Sequence, residues 1–443
     1  MLLHHTIRDG WRTGKTDRRD SACPRPGVPL ITAPTHNSTG PGSSWAPFTY
    51  TAFAVLWGCM TVSRIGTWMH DVGAGWLMTE LADSPTLVAA VQTASRTPIF
   101  AFAILAGAIA DRVDRRYLLI GSSLATAAIA GVFAVVVQLG LMTPPLLLVL
   151  SFAIGTSAAF TGPAWQAVVP QLVERRDLLA AIALNSIGIN VSRAIGPALA
   201  GVLIVTIGMA APFAVNALAT LAVVAGLLWW RPAAPMRSRR AAEPFLKSIA
   251  TGLHFTLSST AMRATFVRTA AYCLFASAFW ALLPLVAREM LSGGPQLYGI
   301  LLGSVGLGAV SGAFVLARAR ARLGLDGTVV AGTIGTVCTL ALIASGPHRA
   351  VVVGCCAVAG LAWISVLSSL QVAAQTTLPD ELRGRGMSVY LTVFFGAISI
   401  GSLLWGRVAS LTGIPSALAI AAASAAIAAV LSRPFKLQSS EPA

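Results

Sequence analysis

Charge is what this sequence has least of. Only 11% of its 443 residues are Asp, Glu, Lys or Arg, against roughly 25% in a soluble globular protein. With 56% of the chain hydrophobic, there are too few polar side chains to coat a water-soluble globule, so lipid is the expected solvent. Negative charge is scarcer still: 16 Asp plus Glu stand against 31 Lys plus Arg, a net charge of +15. In a soluble protein that surplus would point to nucleic acid. Here the basic residues sit in short turns between apolar runs, the pattern of cytoplasmic turns in a membrane protein, so nucleic acid is not an expected partner. The six cysteines (Cys23, Cys59, Cys273, Cys338, Cys355 and Cys356) show no metal spacing and no paired placement, so no disulfide is expected. The six histidines are scattered, two of them as His4-His5, which leaves no metal site and no metalloenzyme. A phosphate-cradling Gly-x-x-x-x-Gly-Lys-Ser/Thr loop is also missing. That excludes an ATP-driven pump, and no cofactor and no enzymatic activity are expected.

Residues 1–47 hold much Pro, Gly, Ser and Thr with no apolar stretch of signal-peptide length, and read as a disordered cytoplasmic tail. Beyond them the chain becomes a series of apolar runs long enough to span a bilayer as helices. The runs are 48–80, 84–108, 116–138, 144–170, 181–207, 211–230, 264–290, 297–317, 327–345, 350–377, 385–411 and 414–432. That makes an all-α membrane protein of twelve transmembrane helices. Lys and Arg outside the spans gather in the turns at 109–116, 171–180, 231–263, 318–326 and 378–385 and in both tails, while the alternate turns contain only Arg349. Both termini are therefore expected in the cytoplasm.

The two halves echo each other. Pro170-Gln-Leu-Val-Glu174-Arg175-Arg176 ends the fourth span and Pro379-Asp380-Glu381-Leu382-Arg383-Gly-Arg385 ends the tenth. Gly107 before the 2–3 turn is answered by Gly312 before Arg318-Ala-Arg320-Ala-Arg322. Such a repeat predicts two pseudo-symmetric six-helix bundles, 48–230 and 264–432, joined by a central cytoplasmic loop at 231–263 and followed by a tail at 433–443. Within that loop Phe245, Ile249, Leu253 and Phe255 with Lys247 suit a short helix on the membrane surface as well as a plain connector.

The stretch Gly107-Ala-Ile-Ala-Asp111-Arg112-Val-Asp114-Arg115-Arg116 resembles the signature loop between helices 2 and 3 of major facilitator superfamily (MFS) transporters. Asp114 stands where many members have glycine. Local wording extends the resemblance: Gly66-Thr-Trp68-Met69 and Gly75-Trp76-Leu77 in span 1, Asn185-Ser186 and Arg193-Ala-Ile-Gly196-Pro197 in span 5, Phe279-Trp280 with Pro284 in span 7, and Trp405-Gly406 in span 11. Over about residues 48–432 the chain looks like the transmembrane secretion effector group, to which enterobactin-exporter-like proteins belong. The resemblance implies a secondary exporter working by alternating access. It makes Gly107, Asp111, Arg112, Arg115 and Arg116 a gating motif, with Asp111 meeting the start of span 11 near Gly384-Arg385-Gly386. Gly196, Pro197 and Gly201 resemble the helix 5 motif that antiporters of the superfamily share, and ordinary close packing suits them as well. The Arg-x-x-Gln-Gly pattern of proton-coupled drug antiporters is absent from span 4, where Gly155-Thr-Ser-Ala-Ala-Phe160 stands.

Charges inside spans are costly and usually functional. Arg64, Asp71, Arg96 and Arg193 are the clear cases, with His70 beside Asp71. Arg64 and Asp71 are seven apart and share a helix face. Asp71 and Arg96 lie 12 and 13 residues either side of Asp83 in the 1–2 turn, which places them at one depth and suggests an ion pair. Asp71 is the expected carrier of a transported proton. Three arginines against one aspartate favour an anionic or polyphenolic solute. Trp165, Gln166, Tyr272, Trp280, Trp363, Gln371 and Gln375 are candidates for the cavity wall, although each alone is more often a packing or interfacial residue. The expected partners are the lipid bilayer, a small-molecule substrate and protons, and the chain is expected to act as a monomer in a bacterial cytoplasmic membrane. An uptake symporter, a facilitator and a non-transporting membrane sensor stay open on the sequence.

Overall fold

The structure, a computed structural model, describes residues 44–231, 258–379 and 383–437. The side chains at 103, 104, 107, 108, 110–112 and 383–385 lie outside that description. The expected surface helix around Phe245 to Phe255 also falls outside the described residues.

A 3-10 turn, Ala46–Thr49, leads into α1 (Thr51–Leu81), α2 (Pro85–Arg112), α3 (Arg115–Gln138), α4 (Pro144–Val168), α5 (Leu178–Thr206) and α6 (Ala211–Trp229). The second half opens with α7 (Thr260–Leu285), which continues through a π turn, Val286–Met290. A helical stretch of 50 residues, Pro295–Ala344, then contains one non-helical residue, Gly324, at φ 68 and ψ −175. The break divides it into α8 (295–323) and α9 (325–344). The chain ends with α10 (Arg349–Thr377), α11 (Arg383–Thr412) and α12 (Ile414–Leu431). No strand occurs among the described residues. Among the described residues nine helices, with Pro295–Ala344 taken as one, are long and apolar enough to cross a membrane. The other two long helices, α1 and α2, have 31 and 28 residues and carry the interior charges Arg64, Asp71 and Arg96.

Two turns are shorter than their composition suggests. The basic stretch read as the 8–9 turn is helical up to Gly324, because alternating Ala and Arg are strong helix formers and only the glycine readily adopts positive φ. The 2–3 turn shrinks to Val113 and Asp114. Asp114 is the N-cap of α3 and accepts from the Arg116 backbone N–H at 2.8 Å, a role glycine would fill without a side-chain bond. The C-terminal boundary moves as well. Leu437 is 6% exposed and its N–H donates to both Asp326 carboxylate oxygens at 3.2 Å. Arg268 pairs with Asp326 at 2.6 Å and donates from Nε to the Ser432 carbonyl at 3.4 Å, so the residues after α12 are tied to α7 and α9.

Helices 1–6 pack among themselves, as do 7–12, and two seams join the bundles: α2 against α11 and α5 against α8. On the first, Thr86 donates to Gly406 O and Ser410 Oγ, and Thr93 donates to Ser399 O at 3.0 Å. The second is built by small residues, with Gly299 beside the Pro197 carbonyl and Gly306 against Ala194. Both seams lie toward the end bearing the 1–2 turn. The largest apolar core runs through that end, from Met69, Val72 and Trp76 of α1 to Leu282 of α7 and Tyr298 of α8. Toward the other end each bundle has its own core, around Phe53, Leu56 and Trp165 in one and Met262, Val366 and Leu370 in the other.

Two arginines of the expected gating motif close helix ends within their own bundle. Arg116 donates from Nε to Leu227 O at 2.8 Å and from Nη2 to Leu228 O at 3.1 Å, in the last turn of α6. Arg115 reaches the Ala167 carbonyl near the end of α4 at 3.4 Å. Helix C-termini carry unpaired carbonyls and partial negative charge, which cations stabilise. Arg116→Ala is expected to cost about 1–2 kcal/mol. Thermal unfolding of the detergent-solubilised chain would reveal it as a lowered midpoint, and an unchanged midpoint would mean that water replaces the guanidinium at no cost.

Candidate functional site

The site is built on one face of α1. Arg64, Trp68 and Asp71 are four and three residues apart, so they form a stripe along that helix. Each meets a partner from another helix. Arg64 donates from Nη1 to Asn185 Oδ1 on α5 at 2.9 Å, and its guanidinium lies 5.9 Å from the Trp165 ring of α4. Trp165 donates from Nε1 to the same Asn185 oxygen at 2.9 Å. Arg193 of α5 lies over the Trp68 ring at 5.6 Å. Arg96 of α2 pairs with Asp71 at 3.4 Å, the two side chains 29% and 23% exposed. Three guanidiniums and one carboxylate therefore share a stripe about 10 Å long.

Local sequence explains the closeness. A side chain at Gly196 would meet Trp68 Cβ at 2.6 Å and the Ile65 carbonyl at 3.0 Å, so glycine lets α5 lie against α1 and hold Arg193 on Trp68. Gly201, further along α5, packs on the Pro295 and Gln296 backbone of α8, where a Cβ would come within 2.8 Å. Gly196, Pro197 and Gly201 are thus contact points, one toward α1 and two toward the other bundle.

His70 lies apart from this stripe. It is 2% exposed, between the rings of Phe133 at 4.7 Å and Phe213 at 4.8 Å, and neither ring nitrogen has a hydrogen-bond partner. Adjacent helical residues point about 100° apart, so a histidine beside Asp71 faces the interior of α1, α3 and α6. Gly107, Asp111 and Arg112 fall on α2, but their side chains and those at 383–385 lie outside the described residues.

The second bundle offers aromatic surface. Trp363 of α10 lies 5.2 Å from Trp280 and 5.9 Å from Tyr272 of α7, and 6.3 Å from Phe394 of α11. Three expected wall residues thus form one cluster, with Phe394 as a member the sequence did not single out. Tyr272 itself is buried and shares a 3.1 Å hydrogen bond with Thr336. Gln166, Gln371 and Gln375 are exposed. Sequence reading also passed over Asn185 as a functional residue, and over the Arg268–Asp326 pair. An arginine near the start of span 7 and an acid near the start of span 9 were the available signal for that pair.

Two six-helix bundles joined along paired seams, with charge held inside both, form the architecture of a transporter of the major facilitator type. Solved structures agree on the fold. A variant of the nucleoside transporter NupG superposes with a TM-score of 0.74 at 12% identity, covering 87% of this chain and 99% of that one. A POT family transporter superposes at 0.71 with 14% identity, covering 86% and 95%. The sequence profile of the transmembrane secretion effector family matches residues 42–443, and the chain belongs to that family. Among its relatives, the staphyloferrin A transporter of Staphylococcus aureus is 24% identical over 360 residues, covering 79% of this chain and 87% of the relative. The enterobactin exporter of Shigella boydii is 26% identical over 378 residues, covering 84% and 88%.

Proposed function

We propose that the chain exports a small organic anion, siderophore-like or otherwise amphipathic, by alternating access coupled to protons through Asp71. The observation that carries this reading is the α1 stripe, where three arginines face a single aspartate inside one bundle. In a low-dielectric interior that surplus attracts anions and rejects lipophilic cations. The aromatic cluster around Trp363 would supply a stacking surface from the other bundle. The names of the two relatives, a staphyloferrin A transporter and an enterobactin exporter, support the cargo class, and the second supports the direction.

Orientation follows from the charge of the turns: the basic turns face the cytoplasm of a bacterial cell, with both termini on that side. The end closed by the two seams then faces outward. The working unit is proposed to be the monomer, since one chain supplies both bundles.

Asp71 is the proposed proton site. Arg96 pairs with Asp71 at 3.4 Å, and a proton on the carboxyl would remove the charge that holds that partner. Proteoliposomes carrying the native chain, with staphyloferrin A and enterobactin as trial cargoes, are expected to move at least one of them at a rate that an imposed pH gradient alters. Asp71→Asn should lose the response to the gradient and keep downhill exchange. Movement of neither cargo would remove the siderophore reading. An unaltered gradient response in the variant would remove Asp71 from coupling.

A further inference from the structure

Arg193 is the one arginine of the α1 stripe without an acceptor. Arg64 has the Asn185 oxygen and Arg96 has Asp71. The Arg193 guanidinium rests on Trp68, and its Nε is buried with no hydrogen-bond partner. A buried charged donor left unmade is expensive, and a ligand acceptor would relieve it. Trp68 and Asp71 lie about one turn apart on α1, and they hold Arg193 and Arg96 respectively, so an anion placed between the two guanidiniums gains from both. Gly306 of α8 packs directly behind, where a methyl group would meet Ala194 Cα at 2.5 Å and the Arg193 carbonyl at 2.9 Å. Arg193 therefore adjoins the seam that must open when the outer end of the transporter opens.

We propose that Arg193, backed by Trp68 and flanked by Arg96, is the subsite that receives the anionic group of the cargo, a carboxylate or an ionised phenol, and that neutralisation of Asp71 strengthens it. The proposal deepens the exporter reading above and rests on it. A carboxylate suits the fork of the guanidinium through two parallel N–H···O bonds, and a flat ring attached to it would lie along the indole edge.

The sign of the coupling follows from charge. Asp71 ionised holds Arg96 and repels an incoming anion. A proton taken from solvent onto Asp71 ends both effects: Arg96 leaves the carboxyl for the cargo, and the new O–H is the one covalent bond formed. Proton and anion then bind each other's preferred state, the opposite of the competition that exchange at a shared site requires. They would cross together. A cargo with two or more negative charges would still leave as a net anion, which an inside-negative membrane potential drives outward.

The probe is benzoate, with neutral benzamide as its control, titrated by calorimetry into the full-length chain in nanodiscs at neutral pH. The native chain is expected to bind benzoate and ignore benzamide, and to take up protons from weakly buffered solution as it does so. Arg193→Gln should weaken benzoate at least tenfold, and Arg193→Lys, which keeps the charge but loses the fork, should weaken it less. Asp71→Asn should bind benzoate more tightly and take up no proton. Failure of native protein to bind benzoate, or unchanged affinity in both Arg193 variants, would overturn the subsite. Weaker or unchanged binding in Asp71→Asn would overturn the coupling sign. The transport reading fails separately, when Asp71→Asn proteoliposomes answer a pH gradient as the native ones do.

Discussion

Replacing Gly360 by alanine is expected to remove folded protein from the membrane. Gly360 of α10 lies against the Val305 backbone of α8, and Gly308 of α8 lies against the Ala357 backbone in return. An added methyl group at either position would overlap a carbonyl oxygen on the neighbouring helix. The obstacle is backbone rather than a side chain that can swing away, so the two helices must separate along their length. Overpacking of this kind costs about 1–3 kcal/mol where side chains can adjust, and more where they cannot. Each variant should therefore reach the detergent-extracted, monodisperse fraction at a small share of the native yield, and the double variant should be absent from it. Native yield from Gly360→Ala would show that α8 and α10 can slide apart without loss, and that this packing contributes little to the C-terminal bundle.

Gly306→Ala is expected to act differently, because its neighbour belongs to the other bundle. The added methyl group would press on Ala194 of α5, and at Gly299 it would meet the Pro197 carbonyl at 2.6 Å. Each bundle keeps its own core, so folding should survive. What is weakened is the α5–α8 seam, which exists only while the end bearing the 1–2 turn is closed. A bias of about 1–3 kcal/mol against that closed state is a 5- to 150-fold shift in population. Thr93, whose hydroxyl bridges to Ser399 across the other seam, is a suitable reporter as Thr93→Cys in a chain freed of its own cysteines. A membrane-impermeant maleimide added outside should label it slowly in the native background and much faster with Gly306→Ala. Equal labelling rates would mean that the glycine seam is not part of the moving interface.

The contrast between these glycines was not available from the sequence, where all four read as small residues in apolar runs. The spans themselves were. Their ends fall within a few residues of the helix ends because a run of apolar residues between charged turns has only one way to satisfy its backbone in lipid. The depth of Asp71 and Arg96 was also accessible by counting from Asp83, since two helices of a hairpin rise at the same rate, and their side chains meet at 3.4 Å. The 8–9 turn is shorter than its charge suggests, because Ala-Arg alternation extends the helix as far as Gly324.

Composition, hydropathy and the order of charges thus determined that the chain is a helical membrane protein of two repeated halves, and named most of the side chains that lie on its interior stripe. These are properties of local sequence and its solvent. Tertiary structure alone decided which of those side chains have partners. It gave Asn185 to Arg64 and Trp165 together, enclosed His70 between two phenylalanines, set Arg115 and Arg116 on the ends of α4 and α6, and left Arg193 without an acceptor. Such pairings join residues far apart in the chain, and they depend on the rotation of each helix about its axis. That rotation is fixed by where neighbouring backbones can approach, as at Gly196 and Gly306, and no single helix carries that information in its own sequence.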